Sequence, residues 1–184
     1  MRRVAVLFSG TGSNFAYLAE HLPGKGIEIA VALTNNPQAG GMAVAHRQGI
    51  PLEIIPSADY TDREAFDAEV VTRLESYAPD LTVLAGFMRI LTPVFTERIC
   101  AINLHPSLLP RHKGLDAIRK SYDDPYPEGG VTLHWVTSEL DGGAVILQRR
   151  VAKEGLDLEA YDHKIRVIEK EALGEAVLKI LNGK

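Results

Sequence analysis

Short runs of aliphatic residues alternate along this chain with segments of helical periodicity, and this alternation constrains the fold more than any other feature. It is typical of a parallel α/β sheet whose strands are joined by helices. The predicted strands are Val4–Phe8, Ile27–Leu33, Leu52–Ile55, Leu81–Ala85 and Ile99–Leu104. The predicted helices are Asn14–His21, Gly41–Gln48 and a longer one between Thr61 and Pro79.

The longer helix has a recognisable start. Thr61 opens it, and Glu64 three residues later completes a capping-box pattern. Apolar side chains follow at roughly helical spacing, at Ala65, Phe66, Val70, Leu74 and Tyr77. We therefore expect one face of this helix to be buried.

The pattern changes in the last third of the chain. Val131–Val136 and Ala144–Val151 resemble two strands joined through the turn Asp141-Gly142-Gly143, and they favour an antiparallel pair over another parallel unit. Leu156–Leu181 predicts a closing helix, with room for a break near its start. The fold class that we predict is α/β, a Rossmann-like, mostly parallel sheet flanked by helices, with an antiparallel strand pair in the C-terminal part.

Composition excludes several classes of partner. The chain has 184 residues, a net charge of −4 and no cluster of Lys and Arg, which argues against a nucleic-acid partner. It contains no apolar run long enough to span a membrane. Cys100 stands alone and cannot form an intramolecular disulfide. We expect one cytoplasmic domain over residues 1–184.

A glycine-containing loop follows the first predicted strand. Its sequence is Ser9-Gly10-Thr11-Gly12-Ser13-Asn14, between a buried strand and a helix. Glycine lets the backbone approach a ligand, and the N–H groups at a helix start attract an anion. Phe15 replaces the third glycine of a dinucleotide fingerprint, so a single phosphate is favoured over a pyrophosphate. The alternative is a tight turn that binds nothing.

Three polar residues predict a reactive centre. Asn103 and His105 lie two residues apart in the fifth strand, so their side chains point to the same side. Asn103 could donate a hydrogen bond to an oxyanion, and His105 could carry a proton near neutral pH. Asp141, 36 residues further along, could orient the imidazole. This set suits acyl transfer, although a core histidine and an ordinary turn aspartate remain alternatives.

Other chemistries match less well. His105, His112 and His134 lack the spacing of a metal site, so we expect no metal. The chain contains no Gly-x-Ser-x-Gly elbow around Ser107, which disfavours a serine hydrolase. Cys100 is strand-like and is expected to be buried. With no activated nucleophile, direct transfer without a covalent enzyme intermediate is favoured.

Four motifs, in order, resemble the phosphoribosylglycinamide formyltransferase family. They are Phe8–Asn14, Leu84–Leu91, Asn103–Pro110 and Glu139–Gly143. The resemblance implies an enzyme of de novo purine biosynthesis that moves a formyl group from 10-formyltetrahydrofolate, as cosubstrate, to the amine of 5-phosphoribosylglycinamide. It makes residues 1–100 the phosphate-binding half and 101–184 the catalytic and folate-binding half. It also implies small-molecule substrates only, and a monomer or homodimer.

The resemblance also implies residue roles. Asn103, His105 and Asp141 match the family's catalytic trio. Gly12, Ser13, Asn14 and Glu169 match substrate-binding positions, and Arg63, Met88, Arg89, Ile90, Leu91 and Asn103 match positions that bind the folate. Arg63 has an ordinary exposed arginine as its alternative, and Glu169 a solvated helix glutamate. His134 matches a family histidine of secondary importance.

The chain departs from the family pattern at two places. Asp116 stands where many relatives have His, and Gly129-Gly130-Val131 replaces a more polar stretch.

Alternative functions are a formyltetrahydrofolate deformylase, a formyltransferase to another amine, or a non-catalytic protein that binds folate or phosphate. A methionyl-tRNA formyltransferase would require a further domain and a basic surface, and the first turn gives no reason for a sugar-nucleotide enzyme. The intact trio favours catalysis over simple binding.

Overall fold

A computed structural model describes residues 1–183 of the chain, which form two compact units. The first is Met1–Ile102, and the second begins at Asn103. No helix in the described part of the chain has the length and apolar character needed to cross a membrane.

The first unit is built on four parallel strands in the order β3-β2-β1-β4. The strands are β1 (Arg2–Phe8), β2 (Ile27–Thr34), β3 (Leu52–Ile54) and β4 (Leu81–Leu84). The helices are α1 (Ser13–His21), α2 (Met42–Gln48), α3 (Arg63–Ser76) and α4 (Pro93–Thr96), with a 3₁₀ turn at Ser57–Asp59. The central strand β1 is buried from Val4 to Phe8, as expected of a parallel strand covered on both faces. All four strands were anticipated within a few residues.

The predicted start of α3 is wrong by one residue. The N-cap is Asp62, whose side chain accepts a hydrogen bond from the Glu64 N–H at 2.9 Å. Asp62 has an extended backbone and a short carboxylate, which is the usual geometry of an N-cap. Thr61 therefore lies outside the helix. Ala65 is exposed, whereas Val71, which the spacing argument left out, is buried.

The second unit contains the end of β5 (Ala101–His105), then α5 (Ala117–Asp123), β6 (Glu128–Trp135), β7 (Val145–Ala152) and α6 (Leu158–Asn182). Strands β6 and β7 pair antiparallel, which confirms the predicted change of topology. The closing helix α6 is continuous over 25 residues, so it has no break near its start. Asp157 caps it by accepting a hydrogen bond from the Ala160 N–H. The predicted α/β fold class is confirmed.

Strand β6 begins at Glu128, three residues earlier than predicted, and it includes the two departing glycines. A Cβ on Gly129 would lie 1.7 Å from the Tyr161 hydroxyl oxygen, and a Cβ on Gly130 would lie 2.0 Å from the Arg149 carbonyl oxygen. No side chain fits at either position. The glycines of this segment are therefore explained by packing within the second unit.

Candidate active site

Strand β5 carries Asn103 and His105 to its carboxyl end. His105 is buried, and its Nε2 lies 2.7 Å from the carbonyl oxygen of His112. Because a carbonyl oxygen can only accept, Nε2 must carry a proton and donate it. The other ring nitrogen, Nδ1, is thereby left to face the rest of the site.

Asp141 is the group that faces His105 Nδ1. Its Oδ2 lies 3.4 Å from that nitrogen, and the same oxygen accepts a hydrogen bond from the Gly114 N–H at 2.9 Å. Asp141 is buried and adopts a left-handed backbone, with φ of 51°. Asp141 is therefore a turn residue, as its alternative had it, but its carboxylate is buried and faces His105. When His105 is doubly protonated, the buried carboxylate is placed to stabilise the imidazolium.

His134 lies beside Asn103 and Asp141 and accepts a hydrogen bond from Asn103. Its Nδ1 lies 3.0 Å from the Trp135 carbonyl oxygen, so Nδ1 donates and Nε2 keeps a lone pair. Nε2 lies 3.2 Å from Asn103 Nδ2, which donates to it, and 3.7 Å from Asp141 Oδ1. Burial lowers the pKa of His134 below its ordinary value, against an opposing effect of the Trp135 carbonyl. His134 is therefore a neutral acceptor that orients the Asn103 amide.

A break in strand register lies beside His134. Strands β6 and β7 are regularly paired up to Leu133, and the register shifts between Leu133 and His134. Irregularities of this kind often re-aim a side chain beside a functional site. A role for His134 in orienting Asn103 was not predicted, because strand alternation alone does not show that these two side chains lie within hydrogen-bonding distance.

The four side chains form a cluster with complementary capabilities. The amide nitrogen of Asn103 carries two hydrogens, of which His134 takes one, so the other can meet a developing oxyanion. His105 can hold or release a proton on the side of Asp141. The second unit thus brings together Asn103, His105 and Asp141, the three residues that the sequence predicted as a catalytic set.

The charged group formed by Asp124, His112 and Lys153 was not predicted from the sequence. The Asp124 carboxylate lies 2.7 Å from His112 Nε2 and 2.7 Å from Lys153 Nζ. Burial by itself would raise the pKa of Asp124, but hydrogen bonds from Lys153 and His112 outweigh it and hold the pKa below its ordinary value. Asp124 is therefore a buried, ionised anchor.

The glycine loop lies in the first unit, where Gly12 immediately precedes α1. Gly12 has φ of 73°, and a Cβ there would lie 2.6 Å from the Gly41 Cα, so only glycine fits. Ser13 begins the helix and is exposed. The Asn14 Oδ1 is buried without a hydrogen-bond partner among the described residues.

The segment of Met88, Arg89, Ile90 and Leu91 is anchored to the start of the glycine loop. The Met88 N–H donates to Ser9 Oγ at 2.8 Å, and Ser9 Oγ donates to Asn35 Oδ1 at 2.5 Å. The Arg89 guanidinium stacks over the Phe66 ring, 4.5 Å from its centroid. The Met88 side chain is 70% exposed and Ile90 is 51% exposed. Met88 and Ile90 are therefore exposed on an anchored backbone, whereas Leu91 is buried.

Three further expectations have mixed outcomes. Arg63 is exposed in the first turn of α3, which fits either of its interpretations. Glu169 in α6 is buried, with 8% of its surface exposed, so the solvated alternative is wrong. Cys100 is also different from expectation, because it is exposed and precedes β5. Among residues 1–183, no group of three or more His, Cys, Asp or Glu side chains is arranged to hold a metal ion.

Comparison with known proteins identifies the family. A family model described as formyl transferase matches residues 2–177. The chain belongs to the formyl transferase family. This formyl transferase is 39% identical over 152 residues to the phosphoribosylglycinamide formyltransferase of Escherichia coli strain K12, a match that covers 80% of the chain and 72% of the relative.

Two more similarities extend this result. The formyl transferase is 35% identical over 186 residues to the trifunctional purine biosynthetic protein adenosine-3 of Bos taurus, covering 98% of the chain and 18% of that longer protein. Its fold matches the crystal structure of phosphoribosylglycinamide formyltransferase from Campylobacter jejuni with a TM-score of 0.95 and 44% identity, over 97% of each chain. The resemblance drawn from the four motifs is confirmed.

Proposed function

We propose that this formyl transferase moves the formyl group of 10-formyltetrahydrofolate to the amine of 5-phosphoribosylglycinamide, in de novo purine biosynthesis. The products are the N-formyl ribonucleotide and tetrahydrofolate. The observation that carries the proposal is the cluster of Asn103 with the buried side chains of His105, His134 and Asp141, in a chain 44% identical to a phosphoribosylglycinamide formyltransferase. The enzyme acts in the cytoplasm on small molecules, as a monomer or homodimer.

The proposed reaction is direct transfer through a tetrahedral intermediate. The substrate amine attacks the formyl carbon, and Asn103 stabilises the resulting oxyanion through the amide hydrogen that His134 does not take. His105, backed by Asp141, moves a proton as the amine loses one and the folate nitrogen gains one. No metal takes part. The exposed Cys100 is not used as a nucleophile, and trapping a formylated protein in the absence of acceptor would contradict this mechanism.

The proposed binding residues lie in both units. Gly12, Ser13 and Asn14 bind the phosphate, because the backbone N–H groups at the start of α1 are available to an anion. Glu169 contacts the ribosyl-glycinamide. Arg63 and residues 88–91 bind the folate, together with Asn103. For the 88–91 segment, the exposed side chains of Met88 and Ile90 on an anchored backbone support the proposal.

The test is an assay with both substrates, followed by the absorbance of the deformylated folate. Product that forms only when glycinamide ribonucleotide is present supports the proposed reaction. Loss of the formyl group without acceptor would instead identify a deformylase. Folate binding without turnover would identify a non-catalytic binding protein. Turnover only with another amine would leave the chemistry intact and change the acceptor.

A further inference from the structure

The ring of His105 is positioned by His112, a residue to which the family resemblance gives no role. His105 Nε2–H donates to the main-chain carbonyl of His112 at 2.7 Å, and the side chain of His112 turns away to Asp124. The backbone of one histidine thus determines the tautomer of the other. The position of the His112 carbonyl is therefore part of the reactive geometry.

His112 adopts a backbone conformation that is unfavourable without support. Its φ is 55°, in the left-handed region that costs a residue with a Cβ about 1–2 kcal/mol. Such residues persist only where the surroundings over-determine them, and they concentrate at functional sites. Two other non-glycine residues of the second unit have positive φ: Asp116, at the end of the same loop, and Asp141, in the connection between β6 and β7.

The surroundings that determine this conformation centre on Asp124. Its Oδ2 lies 2.7 Å from His112 Nε2 and 3.4 Å from an Arg111 guanidinium nitrogen. Its Oδ1 lies 2.7 Å from Lys153 Nζ, which also donates to carbonyls at the end of α5, including Ser121 O at 2.7 Å. The side chains of Asp124 and Lys153 are 7% and 11% exposed. A buried, charge-compensated carboxylate is a rigid anchor.

We propose that His112 and Asp124 are a positioning pair for His105. Asp124 holds the His112 imidazole, the held side chain maintains the left-handed backbone, and that backbone aims its carbonyl at His105 Nε2. His105 is thereby kept as the Nε2–H tautomer with Nδ1 directed to Asp141. Neither member of the pair contacts the reacting atoms, and the link to turnover rests on the function proposed above.

The primary variant is His112→Gly. Glycine accepts positive φ without strain, so this change removes the anchor to Asp124 and leaves the backbone free to adopt its native conformation. We expect kcat to fall about 10- to 100-fold with little change in KM, since misplacing a reactive group affects the chemical step more than binding. The matched control is Arg119→Ala, which breaks an exposed pair with Asp123 on α5 and should leave kcat unchanged.

The decisive readout is the tautomer of His105, measured by ¹⁵N NMR on protein labelled at histidine. The spectrum contains six histidines, and His105→Gln identifies the signals of interest. At a pH where the ring is neutral, the native protein should show His105 protonated at Nε2. His112→Gly should show a mixture of the two tautomers. This measurement needs no substrate, so it tests the pair even if the acceptor or the reaction has been assigned wrongly.

A single Nε2–H tautomer in His112→Gly, or an unchanged kcat in an active enzyme, would overturn the proposal. Asp124→Asn is the second variant if His112→Gly does not fold, and the same mixture of tautomers is expected from it. Failure of both variants to fold, with Arg119→Ala folding normally, would show that the pair serves stability alone and would also overturn the proposal.

Discussion

The contact between His134 and Asn103 yields a quantitative prediction. Replacing His134 by Leu removes the acceptor at 3.2 Å from Asn103 Nδ2 and leaves the amide free to rotate. Since both partners are neutral, the lost hydrogen bond is worth about 0.5–1.5 kcal/mol, and we expect kcat/KM to fall about 2- to 13-fold. Asn103→Ala removes the oxyanion donor itself and should cost about 100-fold or more.

The double variant distinguishes how His134 acts. If His134 works through Asn103, adding His134→Leu to Asn103→Ala should change kcat/KM by less than about 2-fold. The effect of His134→Leu alone would then exceed its effect in the Asn103→Ala background by a coupling free energy of about 1 kcal/mol. If it works instead through Asp141, whose Oδ1 lies 3.7 Å from His134 Nε2, the two losses should multiply. The assay is steady-state formyl transfer with both substrates varied, on variants whose folding is verified by thermal unfolding.

A multiplicative result would refute the assignment of His134 as the residue that orients Asn103. So would an unchanged kcat/KM in the single variant His134→Leu. A loss far above 13-fold, with the fold intact, would also contradict the reasoning, because it exceeds what one neutral hydrogen bond contributes.

Three other predictions concern the same unit. His105→Ala and Asp141→Ala should each lose most of the rate while the protein remains folded, and near-normal turnover in either variant would remove it from the catalytic set. Gly129→Ala should destabilise the protein by about 1–3 kcal/mol in urea unfolding, and less in a Tyr161→Phe background, because the added Cβ meets the buried tyrosine hydroxyl. The folded state keeps His134 neutral, so the unfolded state binds more protons and stability should fall as the pH drops below about 6.5. His134→Leu should flatten this dependence in urea titrations at several pH values, and an unaltered slope would refute it.

Much of the fold could be predicted from local pattern. Strands such as β1 and β2 are continuous aliphatic runs, and the β6 and β7 pair follows from its alternation and glycine turn. Boundaries were less predictable. The start of α3 depends on whether Thr61 or Asp62 accepts the capping hydrogen bond, and both residue types can do so.

The sequence predicted three residues of the candidate site but not the contacts between them. Strand alternation and the family motifs point to Asn103, His105 and Asp141, but the 3.4 Å approach of Asp141 to His105 depends on a turn that the chain reaches 36 residues later. The importance of His112 and Asp124 depends on their contact with Lys153, which lies 29 residues beyond Asp124 in the chain. No periodicity connects residues so far apart.

The sequence by itself determines which segments become strands and helices, because hydrophobic period, glycine and proline act over a few residues. It also determines the family, because four motifs occur in order. Only the tertiary structure decides the protonation and orientation of the reactive groups. The tautomer of His105, the neutral state of His134 and the ionised state of Asp124 each depend on a partner or a burial created by residues distant in the chain.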